Sequence, residues 1–239
     1  MGKPKEFPEQ QQSQPGKQHK MRPEPEVIRT GYKGAEKLKN KIVLITGGDS
    51  GIGRSIAVHC AREGAKIAII YLEEEKDAEK TKSEVEKENS KCVLIKGDIK
   101  DEKFCNEAVK KCIEIFGTIN ILINNAKDSI LEIESKQLNE TFQTNIYPYF
   151  YMVKAVLPHL KKGDTIINSG SVTAYRGSDH LLDYSSTKGA IVSFTRSLSK
   201  MLAKKNIRVN GVAPGPIWTP LIPSTFDSVS DFGHDTALG

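Results

Sequence analysis

The stretch KIVLITGGDSGIG, residues 41–53, constrains this chain more than any other segment. A short apolar, β-branched run (41–46) leads straight into a glycine-rich turn, and a helical pattern then continues through Glu63 to a stop at Gly64. Glycines at 47, 51 and 53 let backbone approach a ligand where a Cβ would clash. The helix that follows offers unpaired N–H groups and the positive end of its dipole, the arrangement that receives a diphosphate. A glycine turn alone is often only a turn; the strand before it and the helix after it give this one its meaning.

The rest of the chain repeats that alternation. KIAIIY (66–71), KCVLIKGD (91–98), NILIN (120–124), TIIN (165–168) and IRVNGVA (207–213) read as further strands. Between them lie helical stretches: 76–89, 101–117 with a stop at Gly117, a long segment from about Lys136 to Lys162, and Tyr184 to Lys205. Nearly continuous apolar strands alternating with helices predict an α/β fold, a doubly wound Rossmann-like parallel sheet covered on both faces. In the long helical segment, Pro148 lacks an N–H and frees the carbonyl four residues back, which predicts a kink beside Asn145.

Composition sets the boundaries of that domain. Residues 1–40 are rich in Pro, Gln and charge, as in QQQSQPGKQ and RPEPE, and predict a flexible polar arm, mobile or laid across a partner subunit. Residues 41–239 are expected to form a single Rossmann-type domain. The net charge of +5 sits in the arm: residues 1–41 hold ten Lys/Arg against five Asp/Glu, and the remainder balances at 25 against 25. The folded part therefore carries no basic stripe, which argues against nucleic acid as a partner. No run of 18 or more apolar residues is present, and the N-terminus has no apolar signal core, so neither a membrane span nor secretion is predicted and a cytoplasmic location is the default. Cys60, Cys92, Cys105 and Cys112 form no CxxC pair and have no His at metal spacing; they read as small buried thiols, with no metal site.

Tyr184 and Lys188 stand four apart at the start of a helix, stacked on one face. A free Tyr has a pKa of about 10, too high for a base at neutral pH, and a nearby ammonium favours the phenolate. Ser171 follows the fifth strand in IINSGS, at the carboxyl edge where open α/β sheets assemble their sites.

The turn's spacing, TGxxxGIG, and the YxxxK pair resemble the short-chain dehydrogenase/reductase family, and the resemblance runs from about Lys41 to Pro220 with the motifs in the family's order. It implies a nicotinamide-dependent oxidoreductase acting on the alcohol or carbonyl group of a small molecule. By that resemblance Tyr184 is the acid/base, Ser171 rather than Ser169 binds the substrate oxygen, Lys188 holds the nicotinamide ribose, and Asn145 holds a relay water. Gly47, Asp49, Ser50, Gly51, Ile52 and Gly53 would line the diphosphate, and Tyr71 the adenosine ribose. Asp98 would accept from the adenine amino group with Ile99 against the ring; Pro214, Ile217 and Thr219 of the PGxxxT stretch would meet the nicotinamide side. Asn124 and Asn125 match the family's NNAG, with Lys127 in place of its glycine. Trp218 reads equally as a pocket wall or as ordinary packing.

Tyr71, Leu72 and Glu73–Glu75 follow the second strand, and Asp49 and Ser50 fill the turn positions where NADP users of the family often carry a basic residue, so of NAD and NADP the reading leans to NAD. The polar arm, GGDSGIGR and VAPGPIWTPLIP resemble a glucose/ribitol dehydrogenase-like or general-stress subgroup, which implies a sugar, polyol or secondary alcohol as substrate. The chain stops at Gly239 without the last helices and edge strand of the family, so it reads as C-terminally shortened, and with a complete C-terminus it would be a homo-oligomer, dimer or tetramer. The rival class is a non-catalytic dinucleotide-binding relative; such proteins commonly lose the Tyr or the Lys, and both are present here.

Overall fold

The computed structural model describes residues 8–13, 16–125, 135–178 and 181–225. Six parallel strands form one sheet: β1 (Ile42–Thr46), β2 (Lys66–Tyr71), β3 (Cys92–Lys96), β4 (Ile121–Asn124), β5 (Thr165–Ser169) and β6 (Arg208–Val212), in the order β3-β2-β1-β4-β5-β6. The order reverses direction between β1 and β4, the switch point at which doubly wound sheets open a crevice. The register brings Thr46 opposite Asn124 and Asn124 opposite Asn168, so these three residues mark one carboxyl edge.

Alternation along each strand divides the core. Leu44, Ala68, Ile95, Leu122, Ile166 and Val209 face one side, where α3 (Glu102–Phe116), α5 (Tyr147–Val156) and α7 (Leu182–Ala203) cover them. Val43, Ile45, Ile67, Ile69 and Ile123 face the other, under α1 (Gly51–Arg62) and Val85 of α2 (Glu75–Lys87). Both faces are buried, which is why the strands lack polar alternation.

Helix ends follow local chemistry. Asp101 caps α3 by accepting the Lys103 N–H at 2.8 Å, and Gly117 closes it at φ 83° with an N–H bond to Ile113. Gly64, at φ 91°, follows the end of α1 as its position in the sequence predicts. The kink beside Asn145 is a full break: α4 (Ser135–Asn145) stops, Ile146 leaves helical geometry, and α5 restarts with Pro148 in its first turn, where a missing N–H costs nothing. The long segment also ends sooner than its pattern suggests, with α5 stopping at Val156 and a 3-10 turn closing it at His159. Two short helices, α6 (Thr173–Arg176) and α8 (Leu221–Thr225), carry no pattern long enough to be read from sequence. Among the described residues no helix is long and apolar enough to cross a membrane.

Arm residues 27–38 lie on this chain itself, along the length of α1. Ser55 donates to the Val27 carbonyl at 2.7 Å, the Tyr32 ring sits 5.3 Å from that of His59, and Glu63 accepts the N–H groups of Ala35 and Lys37 at 2.9 and 3.0 Å. Tyr32 also donates its hydroxyl to Glu63, and these donors together hold the Glu63 carboxyl down to about 2. Val27, Ile28 and Leu38 join the core under α1, and Met21 is fully buried. A few apolar anchors and specific hydrogen bonds suffice to lay down a segment whose overall composition is polar; burying Met21 alone contributes on the order of 2 kcal/mol.

Candidate active site

The glycine turn is built by close approach. A Cβ on Gly53 would stand 1.9 Å from the Gly47 carbonyl oxygen and 2.9 Å from the Asn125 amide, so only glycine allows the turn to fold back on itself. Asn125 ties the turn to β4: its backbone N–H donates to Thr46 Oγ1 and its side-chain amide to the Gly47 carbonyl, both at 3.0 Å. Gly47 and Gly51 take φ of 63° and 53°, values that disfavour other residues. Ser50 stands at the N-cap of α1 without making a side-chain cap bond. A turn shaped by glycines, opening onto a 12-residue helix whose N-cap side chain bonds the neighbouring Asp49 carboxylate and not the helix backbone, fits the diphosphate of a dinucleotide.

Behind the turn lies a buried polar network that sequence patterns did not flag. Arg54 and Asp77 are both fully buried and paired at 3.1 Å. Arg54 also donates to the Asp49 carbonyl from Nε at 3.2 Å and Nη2 at 3.0 Å, and Thr81 donates to the same carbonyl at 2.6 Å. Asp77 reads as one more charge on an exposed helix, so nothing in its spacing announces a partner on α1.

At the carboxyl end of β2, Tyr71 is buried and donates its hydroxyl to Glu75 at 2.8 Å; burial and that carboxylate push its pKa up to about 12. Burial also raises the Asp49 carboxyl above the usual carboxylate range. Cations reach these carboxylates from two other places: Lys17 Nζ of the arm stands 3.6 Å from Glu74, and Lys96 Nζ of β3 stands 3.2 Å from Glu75. Asp98 is exposed, and its carboxylate accepts the Lys100 N–H at 2.9 Å, a local turn bond; Ile99 is half-buried and packs toward the core.

On the other side of the sheet's switch point, Tyr184, Lys188 and Ser171 converge. Tyr184 is 9% exposed, Lys188 1% and Ser171 6%, so all three are withdrawn from bulk water. The Lys188 ammonium donates to the Ser169 carbonyl at 3.1 Å and lies 5.4 Å from the centroid of the Tyr184 ring. The Ser171 hydroxyl is hydrogen-bonded to Tyr184 and also accepts from the Thr173 hydroxyl at 2.9 Å. The expectation of a phenol pulled down by its lysine is not met. Burial dominates and raises the Tyr184 pKa, with the Ser171 hydrogen bond acting in the opposite sense.

Asn145 is fully buried at the break between α4 and α5 and donates to Thr187 Oγ1 at 3.2 Å, which in turn donates to the Tyr184 carbonyl at 2.7 Å. Tyr149, one helical turn on, donates to the carbonyl of Ser169 at 2.9 Å and lies 3.2 Å from that of Asn124. Neither Thr187 nor Tyr149 stood out in the sequence: Thr187 bonds the backbone of its own helix while receiving Asn145 from α4, and Tyr149 bonds the backbone of β4 and β5. Asn124, Asn168 and Thr195 form a further buried chain across β4, β5 and α7, at 3.1 and 2.9 Å.

The segment after β6 closes on the glycine turn. Thr219 is nearly buried, and its methyl stands 3.0 Å from where a Cβ on Gly51 would be. The Pro214 carbonyl accepts the Val172 N–H at 3.1 Å, Ile217 is exposed, and Trp218 donates its indole N–H to the Pro23 carbonyl of the arm at 3.0 Å. Lys127 lies outside the described residues.

Comparison with known proteins agrees with this geometry. The chain is 54% identical over 244 residues to general stress protein 39 of Bacillus subtilis, covering 99% of this chain and 85% of that one. It is 46% identical over 244 residues to the glucose and ribitol dehydrogenase of Daucus carota, covering 97% and 84%. Among solved structures, a short chain dehydrogenase from Burkholderia cenocepacia in complex with NADP superposes with a TM-score of 0.74 at 30% identity, covering 77% of this chain and 78% of that one. With residues 41–229 also matching the family described as short chain dehydrogenase, the chain belongs to the short-chain dehydrogenase/reductase family of oxidoreductases.

Proposed function

We propose that this chain moves a hydride between NAD(P) and the alcohol or carbonyl carbon of a small sugar, polyol or other secondary alcohol, with Tyr184 as the acid/base. The observation that carries this reading is the meeting of Tyr184, Ser171 and Lys188 at the carboxyl edge of β5, out of reach of bulk water. Nicotinamide, when bound, supplies or takes up the hydride. The protein's own part is proton transfer and orientation. Tyr184 gives its phenolic proton to the substrate oxygen in reduction and takes it in oxidation; Ser171 donates a hydrogen bond to that oxygen as charge develops. Lys188 brings positive charge to the phenolate, and Asn145 with Thr187 marks the buried route by which the proton exchanges with solvent.

Gly47–Gly53 and Asn125 would hold the diphosphate, and Ile217 and Thr219 the nicotinamide end. Tyr71, Asp98 and Ile99 would flank adenosine. Lys17 and Glu73–Glu75 offer both charge signs near the adenosine ribose, so either dinucleotide is to be assayed. The name of the carrot relative directs the substrate screen toward glucose and ribitol. Exposed Tyr147, Phe150 and Met201 on α5 and α7 support pairing with a second copy, which light scattering on the purified chain reads.

The test is dinucleotide reduction and oxidation across polyols, sugars and their aldehydes, with wild type and Tyr184→Phe. The variant should bind dinucleotide, read through Trp218 fluorescence, and lose turnover. Full activity in the variant would refute the reading; binding without turnover of any substrate by the wild type would favour a non-catalytic dinucleotide-binding role.

A further inference from the structure

The arm meets the glycine turn through one buried side chain. Gln18 is 1% exposed, and its Oε1 accepts the N–H of Gly51, the first residue of α1, at 2.6 Å. Ser50 makes no side-chain cap bond, and one of the unpaired N–H groups of the first turn, that of Gly51, is satisfied by a residue 33 positions upstream. The backbone of Gln18 is fixed as well: its N–H donates to Asp77 Oδ2 at 2.8 Å, and the other oxygen of Asp77 pairs with Arg54, which holds the Asp49 carbonyl. The turn is thus gripped on both sides of Ser50, at Asp49 through Arg54 and at Gly51 through Gln18.

Gln18 uses only half of its amide. Its Nε2 is buried with no hydrogen-bond partner, a donor held without compensation beside the helix end that would receive an anion. The arm continues past the turn to the opposite lip of the cleft, where Pro23 accepts the Trp218 indole N–H and Gln12 donates to the Pro223 carbonyl at 2.8 Å. Residues 12, 18 and 23 therefore join the glycine turn to the segment that carries Thr219.

We propose that Gln18 is a positioning residue for the dinucleotide diphosphate, and that arm residues 16–23 form one wall of the cofactor cleft in cis. By holding Gly51, Gln18 sets the direction of the remaining N–H groups in the first turn of α1. This rests on the hydride-transfer reading above, since it is that reading which brings a dinucleotide to the turn.

The experiment compares the full chain with Gln18→Ala and with Gln18→Met, which keeps most of the volume and removes both hydrogen-bonding atoms. Binding of NADH, NADPH and adenosine is measured by calorimetry, with melting temperature as the check on folding and amide exchange at Gly51 as a second readout. Both variants should weaken the two dinucleotides about tenfold and leave adenosine, which has no diphosphate, within about twofold. Unliganded wild type should protect the Gly51 amide, and both variants should expose it. Unchanged dinucleotide binding in a folded variant, or equal weakening of adenosine, overturns the proposal; so does an unprotected Gly51 amide in wild type, even if neither variant folds. Failure of wild type to bind either dinucleotide would instead remove the hydride-transfer reading, and this inference with it.

Discussion

Lys188 and Ser169 are joined by a hydrogen bond of 3.1 Å from the ammonium to the backbone carbonyl, which pins the one buried cation of α7 to the end of β5. The lysine's charge is thereby held 5.4 Å from the centre of the Tyr184 ring instead of reaching into solvent. Lys188→Met keeps the length and apolar stem but removes the charge and the bond to the Ser169 carbonyl. Turnover should fall by roughly 10²- to 10⁴-fold, the span of a lost proton-transfer contribution, and steady-state rates with saturating dinucleotide check it.

The raised pKa of Tyr184 has a direction of its own. Burial favours the neutral phenol, so at neutral pH the group is charged with a proton, ready to act as an acid. Reduction should therefore be nearly level across neutral pH and fall only in alkali, whereas oxidation should climb as pH rises toward deprotonation of the phenol. Paired kcat/KM profiles in the two directions provide the measurement; an oxidation rate independent of pH would contradict the assignment.

Gly53→Ala tests the glycine turn directly. The added Cβ would meet the Gly47 carbonyl at 1.9 Å, a backbone atom that cannot swing away. The turn must open, and both Asn125 bonds to Thr46 and Gly47 would be stretched. Dinucleotide binding should fall below detection by calorimetry and stability should drop by about 1–3 kcal/mol, the usual range for overpacking, as read from urea unfolding.

Much of this was legible because it is local. The six strands announce themselves as apolar runs, and the glycine turn and YxxxK pair depend on spacings of a few residues. What stayed hidden is long-range or depends on burial. Gln18 meets Gly51 and Arg54 meets Asp77 across 33 and 23 residues, and a polar, Pro-rich composition says nothing of such pairings. The same composition suggested mobility for the arm, because an average over forty residues dilutes the few that anchor it, Met21, Val27, Ile28 and Leu38. Tyr184 shows the limit from another side: the sequence reveals a lysine four residues away, but not the burial that outweighs it.

Asn168 links the middle of the sheet to α7. It accepts from Asn124 at 3.1 Å and donates to Thr195 at 2.9 Å, and Thr195 donates on to the Ile191 carbonyl at 2.7 Å. Asn168→Leu would leave the Asn124 amide and the Thr195 oxygen short of partners in a dry interior. Stability should fall by about 1–3 kcal/mol for each group stranded, with denaturant midpoints as the measure.

The four thiols contribute to the alkaline limit of the fold. Burial pushes Cys60, Cys92, Cys105 and Cys112 from the ordinary value of 9.0 up to about 12, and at Cys112 burial is the sole cause. A pKa raised by folding means that the native state keeps protons which the unfolded chain releases. Stability from these groups is full below about pH 9 and drains away as pH climbs toward 12, because the unfolded thiolates are the better solvated. Melting temperature should therefore decline steeply over that window. Replacing Cys112, buried in the apolar core, by alanine should lessen the slope by one thiol's share while lowering stability at neutral pH. A slope unchanged by Cys112→Ala would show that this sulfur is protonated no more firmly in the native chain than in the unfolded one.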